Sequence, residues 1–412
     1  MQLTLIRHGQ SEANAARLWQ GEGDAPLTDR GRRQAKALGS RLDLGSFDRV
    51  FSSTLVRART TAGLAGFEAE ARQDLGEMRL GEWEGLTFDE VSERFPDELA
   101  ALRAGEEIRW GRTGETFEEF NGRVTAELAR ILAHADPRDR ILIVAHGGTN
   151  NTILRSFLPT DQMMFRVFGA PTNTSITEVT IDTEGAATIE RYNDAAHLGP
   201  LSDWAEERRS EGAAVVDLVR HGVTQANLER RVQGQADWGL HADGEDQARR
   251  LSSWIGHADR VYSSSSGRAA RTAQLVFPVS DVVHDDGLME VAMGEWQGEK
   301  WEEVVRQFPD EIAALRSGSS DVARGVSGET FADVQGRVAS TIASIAAKHK
   351  GDRVGVISHG LAIRAYLASV VNLDHTNYRT FGRLGNTAFS RVVVTADGPL
   401  IAEYNLQYHL LH

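Results

Sequence analysis

An Arg-His-Gly triplet stands at residues 7–9, directly after the apolar run LTLI, and it returns at residues 220–222 after the run VVDLV. The guanidinium group of arginine is a planar fork of donors that suits phosphate. Histidine can act as a nucleophile or carry a proton near neutral pH, and glycine lets a ligand approach the backbone closely. Three residues are a weak signal by themselves, so their meaning depends on what recurs with them.

Other residues able to do chemistry recur at one separation. His8 and His221 lie 213 positions apart (221 minus 8), and an arginine pair, Arg57 and Arg268, nearly keeps this register at 211 (268 minus 57). The remaining pairs at 213 are Asn14 and Asn227, Glu77 and Glu290, and His146 and His359. A register held over most of the chain indicates a duplicated domain. We therefore predict a first domain at 1–199, a linker at 200–212 and a second domain at 213–412.

The residue types of the first copy suit the hydrolysis of a phosphate monoester. Arg7 and Arg57 would bind the dianion through charge-assisted hydrogen bonds. An unprotonated nitrogen of His8 could attack phosphorus in line. His146 would carry a proton and stabilise charge on the equatorial oxygens, while Glu77 protonates the leaving alcohol. Water would then hydrolyse the phosphohistidine with the same carboxylate acting as base.

The elements that must position these residues alternate between strands and helices. Apolar runs predict strands at 2–7 and 141–145, each ending at a histidine, and the carboxyl edge of an open α/β sheet is where ligands bind. Thr28 predicts the start of a helix reaching about Leu42, and a capping box of Thr116 with Glu119 predicts a helix over Phe117–Ala133. The second copy repeats this order with strands at 214–219, 260–263 and 353–358 and a capped helix at 331–347. The pattern predicts an α/β fold around a mostly parallel sheet.

In this combination the motifs resemble the histidine phosphatase superfamily, in its phosphoglycerate-mutase-like branch and of the α-ribazole phosphatase type. The resemblance is carried by the Arg-His-Gly triplet, the S-x-x-x-R-A-x-x-T-A pattern at 53–62, the L-x-E and G-x-W-E-G patterns at 75–85, and the His-Gly pair at 146–147. It covers nearly the whole chain. It implies two tandem three-layer α/β/α domains, each with a mostly parallel central sheet.

The resemblance also implies a role for each matching residue. The phosphorylated nucleophiles would be His8 and His221, and the proton donors Glu77 and Glu290. His146 and His359 would complete the two phosphate pockets. Further phosphate contacts would come from Arg7, Asn14, Gln20 and Arg57 in the first copy and from Arg220, Asn227, Gln233 and Arg268 in the second. Asn14 could instead cap a helix.

No metal and no cofactor are expected. The family that the chain resembles needs no metal, and paired arginines beside the histidine and glutamate set would repel a cation. The implied partner is therefore a small-molecule phosphate ester alone.

The two copies depart from the family pattern in places. The glutamate usual after the triplet is Gln10 in one copy and Val223 in the other. Mutases of the family carry an arginine directly after the catalytic glutamate, where this chain has Met78 and Val291. We therefore expect a phosphomonoesterase acting on a small phosphorylated metabolite, with both domains competent. The alternatives are a phosphoglycerate-type mutase, or one domain serving as a non-catalytic binding or structural module.

Composition narrows the setting. The chain has 412 residues, a formal net charge of -14 and no cysteine. The negative charge argues against nucleic acid as a partner, so an anion site must be a local cluster of arginine and histidine. No membrane span and no signal peptide are recognisable, and with the cysteine-free composition this predicts a cytoplasmic protein. The sequence does not indicate the oligomeric state.

Overall fold

The computed structural model describes residues 1–159, 167–199, 203–278 and 281–410. These residues fall into two compact units, one drawn mainly from 1–199 and the other mainly from 203–410. None of the helices within the described ranges is both long enough and apolar enough to cross a membrane.

Six strands form the sheet of the first half. They are β1 (Gln2–Arg7), β2 (Arg49–Ser53), β3 (Glu70–Arg72), β4 (Arg140–Ala145), β5 (Ile176–Ile181) and β6 (Ala187–Asp194). The strand order is β3-β2-β4-β1-β5-β6. The pairs β3–β2, β2–β4 and β4–β1 are parallel and only β5 is antiparallel to β1, which confirms the prediction of a mostly parallel sheet.

The described part of the first half contains seven α-helices. They are α1 (Glu12–Ala15), α2 (Asp29–Arg41), α3 (Val56–Leu64), α4 (Phe88–Arg94), α5 (Pro96–Ala104), α6 (Phe117–Ala133) and α7 (Gly147–Ser156). On one face, Leu38 of α2 and Ala58 of α3 join Ile6 and Val144 of the sheet in a buried cluster. On the other face, α7 packs against β1 and is backed by α6. The arrangement is the three-layer α/β/α sandwich that was expected.

Helix α6 shows why the local predictions hold. The side chain of Thr116 accepts a hydrogen bond from the backbone of Glu119, whose side chain bonds back to the Thr116 backbone. Phe120, Val124 and Leu128 then recur on one buried face. Burying each such side chain contributes about 1.5–3 kcal/mol. The capping box determines where the helix begins and the apolar face stabilises it against the core, so the helix spans the predicted residues.

The second half repeats the sheet and the layers. Its strands are β7 (Ala214–Arg220), β8 (Arg260–Ser263), β9 (Val282–His284), β10 (Arg353–Ser358), β11 (Phe389–Thr395) and β12 (Gly398–Leu406), in the order β12-β11-β7-β10-β8-β9. Its helices are α8 (Asp203–Ser210), α9 (Gln225–Leu228), α10 (Ala242–Ile255), α11 (Gly267–Val276), α12 (Trp301–Gln307), α13 (Pro309–Ser317), α14 (Phe331–Lys348) and α15 (Gly360–Val370).

The segment predicted as a linker contains helix α8, whereas residues 200–202 lie outside the described residues. The helix packs on β7 and β11. Ala205 joins Val215 and Val393 in a buried cluster, and the ring of Trp204 packs against it. The helix is thus part of the apolar core of the second half. The packing of α8 could not be predicted from the sequence, because the segment is mostly polar and only Trp204 and Ala205 supply apolar side chains to the cluster.

Candidate active site

The first site forms where β1 and β4 end side by side. These strands pair in parallel with Arg7 opposite Ala145, so the next residue of each strand, His8 and His146, lies at the same edge of the sheet. The two imidazole rings meet edge to face with their centroids 5.1 Å apart. Both histidines are almost fully buried, 3% and 0% exposed. The structure thus brings together two histidines that are separated by more than a hundred positions in sequence.

Arg57 reaches this edge from the first turn of α3. Its Nε donates to His8 Nε2 at 3.2 Å, and its two terminal nitrogens donate to the carbonyls of Gly21 and Gly23 at 2.8 and 2.7 Å. Burial is the main cause that lowers the pKa of Arg57 to about 10, and the nearby carboxylate of Glu77 opposes that shift. Arg57 therefore stays charged at neutral pH.

The hydrogen bonds of His8 select one tautomer. Nδ1 lies 2.7 Å from the carbonyl oxygen of Gly9, which can only accept, so Nδ1 carries the proton. Nε2 accepts from Arg57 and is therefore unprotonated. Burial, with Arg57 and Arg7 adding to it, holds the pKa of His8 well below the usual range for histidine. The imidazole is neutral, and its Nε2 lone pair faces the arginine side of the pocket.

Gly9 serves packing within the protein. A Cβ at this position would lie 2.6 Å from the carbonyl oxygen of Gly31 in α2, which is shorter than a side chain tolerates. The equivalent Gly222 would meet Gly244 of α10 at 2.5 Å. The space that the sequence suggested for a ligand is therefore filled by the backbone of a neighbouring helix.

Glu77 is held against the start of α7. One carboxylate oxygen accepts from the backbone N–H of Gly148 at 2.9 Å, and the other accepts from Met78 and Thr149 at 3.0 and 3.1 Å. The amides at a helix N-terminus favour a negative charge. Because α7 follows His146 directly, the same chain turn positions the second histidine and the carboxylate.

Two residues that support the site were missed in the sequence. Arg123 of α6 donates to Glu115 at 2.8 Å and to the backbone carbonyl of Glu77 at 3.1 Å, which fixes the glutamate loop. Asn173 donates through Nδ2 to the carbonyl of His8 at 2.9 Å. Asn386 does the same for His221 at 3.1 Å. The asparagines also lie 213 positions apart (386 minus 173), so the repeat register could have found them.

The predicted phosphate contacts Asn14 and Gln20 lie beside this edge. Asn14 Oδ1 accepts from the backbone of Ser11 and from Asn173, as part of the capping box of α1. Gln20 Oε1 accepts from the hydroxyl of Ser11 at 2.7 Å. Capping thus occupies the side-chain oxygen of Asn14, and a phosphate contact would come from its Nδ2 group.

The second site repeats most of this arrangement, but Arg268 Nε has no hydrogen-bond partner among the described residues, whereas Arg57 Nε donates to His8. His221 and His359 have ring centroids 5.2 Å apart, and His221 Nδ1 lies 2.8 Å from its own glycine carbonyl. Glu290 accepts from the backbone N–H groups of Val291, Leu361 and Ala362, the last two at the start of α15. Asn227 Oδ1 accepts from the backbone N–H of Thr224 in the capping box of α9, and Gln233 accepts from the hydroxyl of Thr224 at 2.9 Å, as their counterparts do.

The surroundings of the second histidine differ between the copies. Neither ring nitrogen of His146 has a hydrogen-bond partner among the residues that the structure describes. His359 Nδ1 lies 3.1 Å from Arg268 Nη2, and its Nε2 lies 2.8 Å from Ser264 Oγ and 3.4 Å from Ser266 Oγ. An arginine can only donate, so His359 carries its proton on Nε2. The first copy has Leu55 where the second has Ser266, which accounts for one of these contacts.

A model of the histidine phosphatase superfamily (branch 1) matches residues 3–195 and again residues 216–407. The chain therefore belongs to this superfamily and carries its domain twice. This confirms the family that the motifs indicated. The chain is accordingly a histidine phosphatase, a phosphoric monoester hydrolase of a class that needs no metal.

Its relatives carry several activities. A metal-independent phosphoserine phosphatase of Arabidopsis thaliana is 32% identical over 214 residues, which cover 50% of this chain and 88% of the relative. An adenosylcobalamin/alpha-ribazole phosphatase of Salmonella typhimurium is 35% identical over 162 residues, or 38% of this chain and 80% of the relative. The solved structure of phosphoserine phosphatase from Entamoeba histolytica with 3-phosphoglyceric acid is 27% identical, with a TM-score of 0.45, and the match covers 48% of this chain and 99% of that one.

Proposed function

We propose that each half hydrolyses a small phosphorylated metabolite through a phosphohistidine intermediate, with His8 and His221 as nucleophiles. The observation that carries the proposal is the tautomer of the first histidine. In both halves Nδ1 faces a backbone carbonyl, at 2.7 and 2.8 Å, which leaves Nε2 as the basic atom beside the arginines. A neutral imidazole with a directed lone pair is what attack on phosphorus requires.

In the first half the attack would run from His8 Nε2 to the phosphorus of the bound ester. The N–P bond forms as the P–O bond to the alcohol breaks. Arg57 and Arg7 neutralise the charge on the phosphoryl oxygens through charge-assisted hydrogen bonds. His146 is neutral in this structure, because burial, Arg57 and His8 hold its pKa well below the usual range. An incoming dianion supplies the opposite charge that favours its protonated form.

Glu77 would supply the proton to the departing alcohol oxygen. In the second step it would take a proton from water, whose oxygen attacks phosphorus and releases inorganic phosphate and free His8. The three backbone amides that hold its carboxylate fix the direction of its oxygens in both steps. Glu290 would act in the same way in the second half.

Hydrolysis is favoured over a phosphoglycerate-type mutase by the residues after the glutamate. Met78 and Val291 are both buried and uncharged, so neither supplies the cation expected of a mutase there. A relative named probable phosphoglycerate mutase, from Salmonella paratyphi A, is 34% identical over 184 residues, which keeps the mutase as the second candidate. The cysteine-free composition supports a cytoplasmic setting for the reaction.

The test measures phosphate release and the covalent intermediate in single-site proteins. The full chain carrying His221→Ala or His8→Ala should release phosphate from p-nitrophenyl phosphate without added bisphosphoglycerate. Quenching with alkaline detergent during turnover should trap a phosphoryl group on the remaining histidine that is stable in base and is lost on later treatment with acid. Steady turnover without any trapped phosphoenzyme, or phosphoryl exchange between phosphoglycerate isomers without phosphate release, would contradict the proposal. A folded half that does neither would be a non-catalytic module.

A further inference from the structure

The two phosphate pockets share their central residues but differ in charge at their margins. Helix α15 begins beside Arg220, because a Cβ on Gly360 would lie 3.3 Å from Arg220 Nε. Arg364 follows Gly360 by four residues and so lies on the same face of this helix. In the first half, Gly147 lies next to Arg7 in the same way, and the residue four positions later is the uncharged Asn151.

A second added cation lies on the loop that holds the same arginine. Arg220 Nη1 donates to the carbonyl of Leu384 at 2.5 Å, and the preceding residue is the exposed Arg383. In the first half, Arg7 donates to the carbonyl of Pro171, and the preceding residue is Ala170.

The electrostatics of Arg220 agree with this placement. Burial is the main cause that lowers the pKa of Arg220 to about 10, and Glu290 opposes it. The positive charges of Arg268, Arg383 and Arg364 lower it further. Both added guanidinium groups therefore lie close enough to Arg220 for their charges to affect it.

The loop whose carbonyl groups accept hydrogen bonds from Arg57 differs in charge in the opposite sense: it is more negative in the first half. In the first half, the Glu84 carboxylate accepts from the backbone N–H groups of Glu22 and Gly23, both at 2.9 Å. In the second half, Gln297 Oε1 accepts from the backbone N–H of Gln235 at 3.0 Å. The loop geometry is kept while two carboxylates, Glu22 and Glu84, become neutral amides.

An open cleft of about 450 Å³ lies beside this loop in the first half, lined by Glu22, Arg79, Glu82 and Glu84 among others. Arg79 pairs with Glu22 at 2.9 Å, and its counterpart in the second copy is Ala292. At these five pairs of positions, the first margin carries Arg79, Glu22 and Glu84, a net -1, and the second carries Arg364 and Arg383, a net +2. The difference is three elementary charges.

We infer that the second site selects phosphate monoesters that carry a further anionic group, such as a carboxylate or another phosphate, whereas the first site disfavours them. The inference rests on the proposed function of the same sites. Guanidinium groups recognise carboxylate and phosphate by paired, charge-assisted hydrogen bonds, and the shared pocket already occupies the reacting phosphate. The positive charges of Arg364 and Arg383 therefore attract a second anionic group of the substrate to the margin of the second pocket, and the carboxylates of the first copy repel the same group.

The experiment compares the ratio of kcat/KM values for esters that differ in charge. Single-site proteins are the full chain with His8→Ala, which leaves the second site, and with His221→Ala, which leaves the first. The probes with a second anionic group are 3-phosphoglycerate and propane-1,3-diol bisphosphate, and the reference is glycerol 3-phosphate, which carries no charge besides its single phosphate. We expect the second site to favour the anionic probes over the reference at least tenfold more than the first site does. The preference should weaken as salt is added.

Substitutions between the copies then assign the effect. Arg364→Asn with Arg383→Ala gives the second site the residues of the first, and its preference should fall about tenfold, mainly through KM. Glu84→Gln gives the first site the residue of the second, and its relative preference for the anionic probes should rise. Arg249→Ala is the matched control, because this exposed arginine pairs with Glu245 on α10 and removes one charge from the same half.

The possible outcomes distinguish a failure of the charge selection from a failure of the proposed hydrolysis. Equal preferences of the two sites, or a preference unchanged by the double substitution, would overturn the charge selection even if both sites hydrolyse p-nitrophenyl phosphate. If the second site releases no phosphate from any ester, the proposed function fails for that half. Calorimetry of 3-phosphoglycerate and glycerol 3-phosphate, with and without the double substitution, still decides the selection. Arg383→Ala alone, at an exposed position, provides the test if the double variant does not fold.

Discussion

Replacing Glu77 by glutamine is the most direct test of the proton donor. The substitution keeps the shape of the side chain but turns one oxygen into an amino group. The retained oxygen can still accept from Met78 and Thr149, whereas the amino group would face the N–H of Gly148, now 2.9 Å from an oxygen. A donor then faces a donor, and the group can no longer deliver a proton to the leaving alcohol.

The structure sets two separate magnitudes. Loss of one charge-assisted hydrogen bond should cost roughly 1.5–3 kcal/mol in the free energy of unfolding. Loss of general acid catalysis should lower kcat by about 10²–10⁴ for an ester with a poor leaving group, such as glycerol 3-phosphate. p-Nitrophenyl phosphate needs little protonation of its leaving group, so its kcat should fall far less.

The assay uses the full chain with His221→Ala, so that only the first site turns over, and it measures kcat for both esters beside urea unfolding. Glu82→Gln is the control, since this exposed carboxylate lies in the adjacent turn, 3.6 Å from Arg112, and makes no contact with α7 in the structure described. Equal losses of kcat for the two esters would refute proton donation by Glu77 and leave it a structural role. Glu290→Gln should give the same contrast in the second half.

Further outcomes follow from the remaining residues. The double variant His8→Ala with His221→Ala should lack turnover, whereas each single variant keeps the activity of the other half; steady phosphate release by the double variant would exclude the histidine mechanism. Activity should survive excess EDTA, because arginine and histidine take the role that a metal would fill, and loss on chelation with rescue by a divalent ion would contradict this. Burial lowers the pKa of His197 and of His409 to about 4, so their neutral forms stabilise the fold fully above about pH 6.5, and this is lost as the pH falls towards 4, by roughly 3 kcal/mol each. Replacing both by asparagine should therefore flatten the fall of Tm over this range, and an unchanged fall would count against it. Ser266→Leu removes an acceptor from His359, which is protonated when the dianion is bound, so the alkaline limb of the kcat profile of the second site should move to lower pH, and an unmoved limb would leave that hydroxyl without a role.

Local signals in the sequence predicted the elements well. The strand at 2–7 and the helix Phe117–Ala133 occur with the expected bounds, because caps and apolar periodicity act within a few residues. The gathering of His8 and His146 could also be predicted, since parallel neighbours end at one edge. The supporting role of Arg123 could not be predicted, because its partners Glu115 and the backbone of Glu77 come together only when the chain is folded.

The differences between the copies were harder to predict than their likeness. Landmarks that recur establish a repeat, but positions that change carry no signal until their neighbours are known. The exchange of Leu55 for Ser266 gains meaning only from the hydroxyl 3.4 Å from His359. Similarly, the replacement of Asn151 in the first copy by Arg364 in the second gains meaning only from the fold. Each of these residues follows by four positions a glycine that lies beside an arginine of the pocket.

Helix α8 determines where the polypeptide can be cut. A protease that cleaves at 211–212, within the stretch that looks like a tether, would leave Trp204 and Ala205 on the wrong fragment. The cluster of Val215 and Val393 would then be exposed to water. The C-terminal fragment would lose part of its core and become prone to aggregation, although every residue proposed to act in the second site is retained. A fragment that begins before Asp203 keeps the cluster covered, because it retains the whole of helix α8.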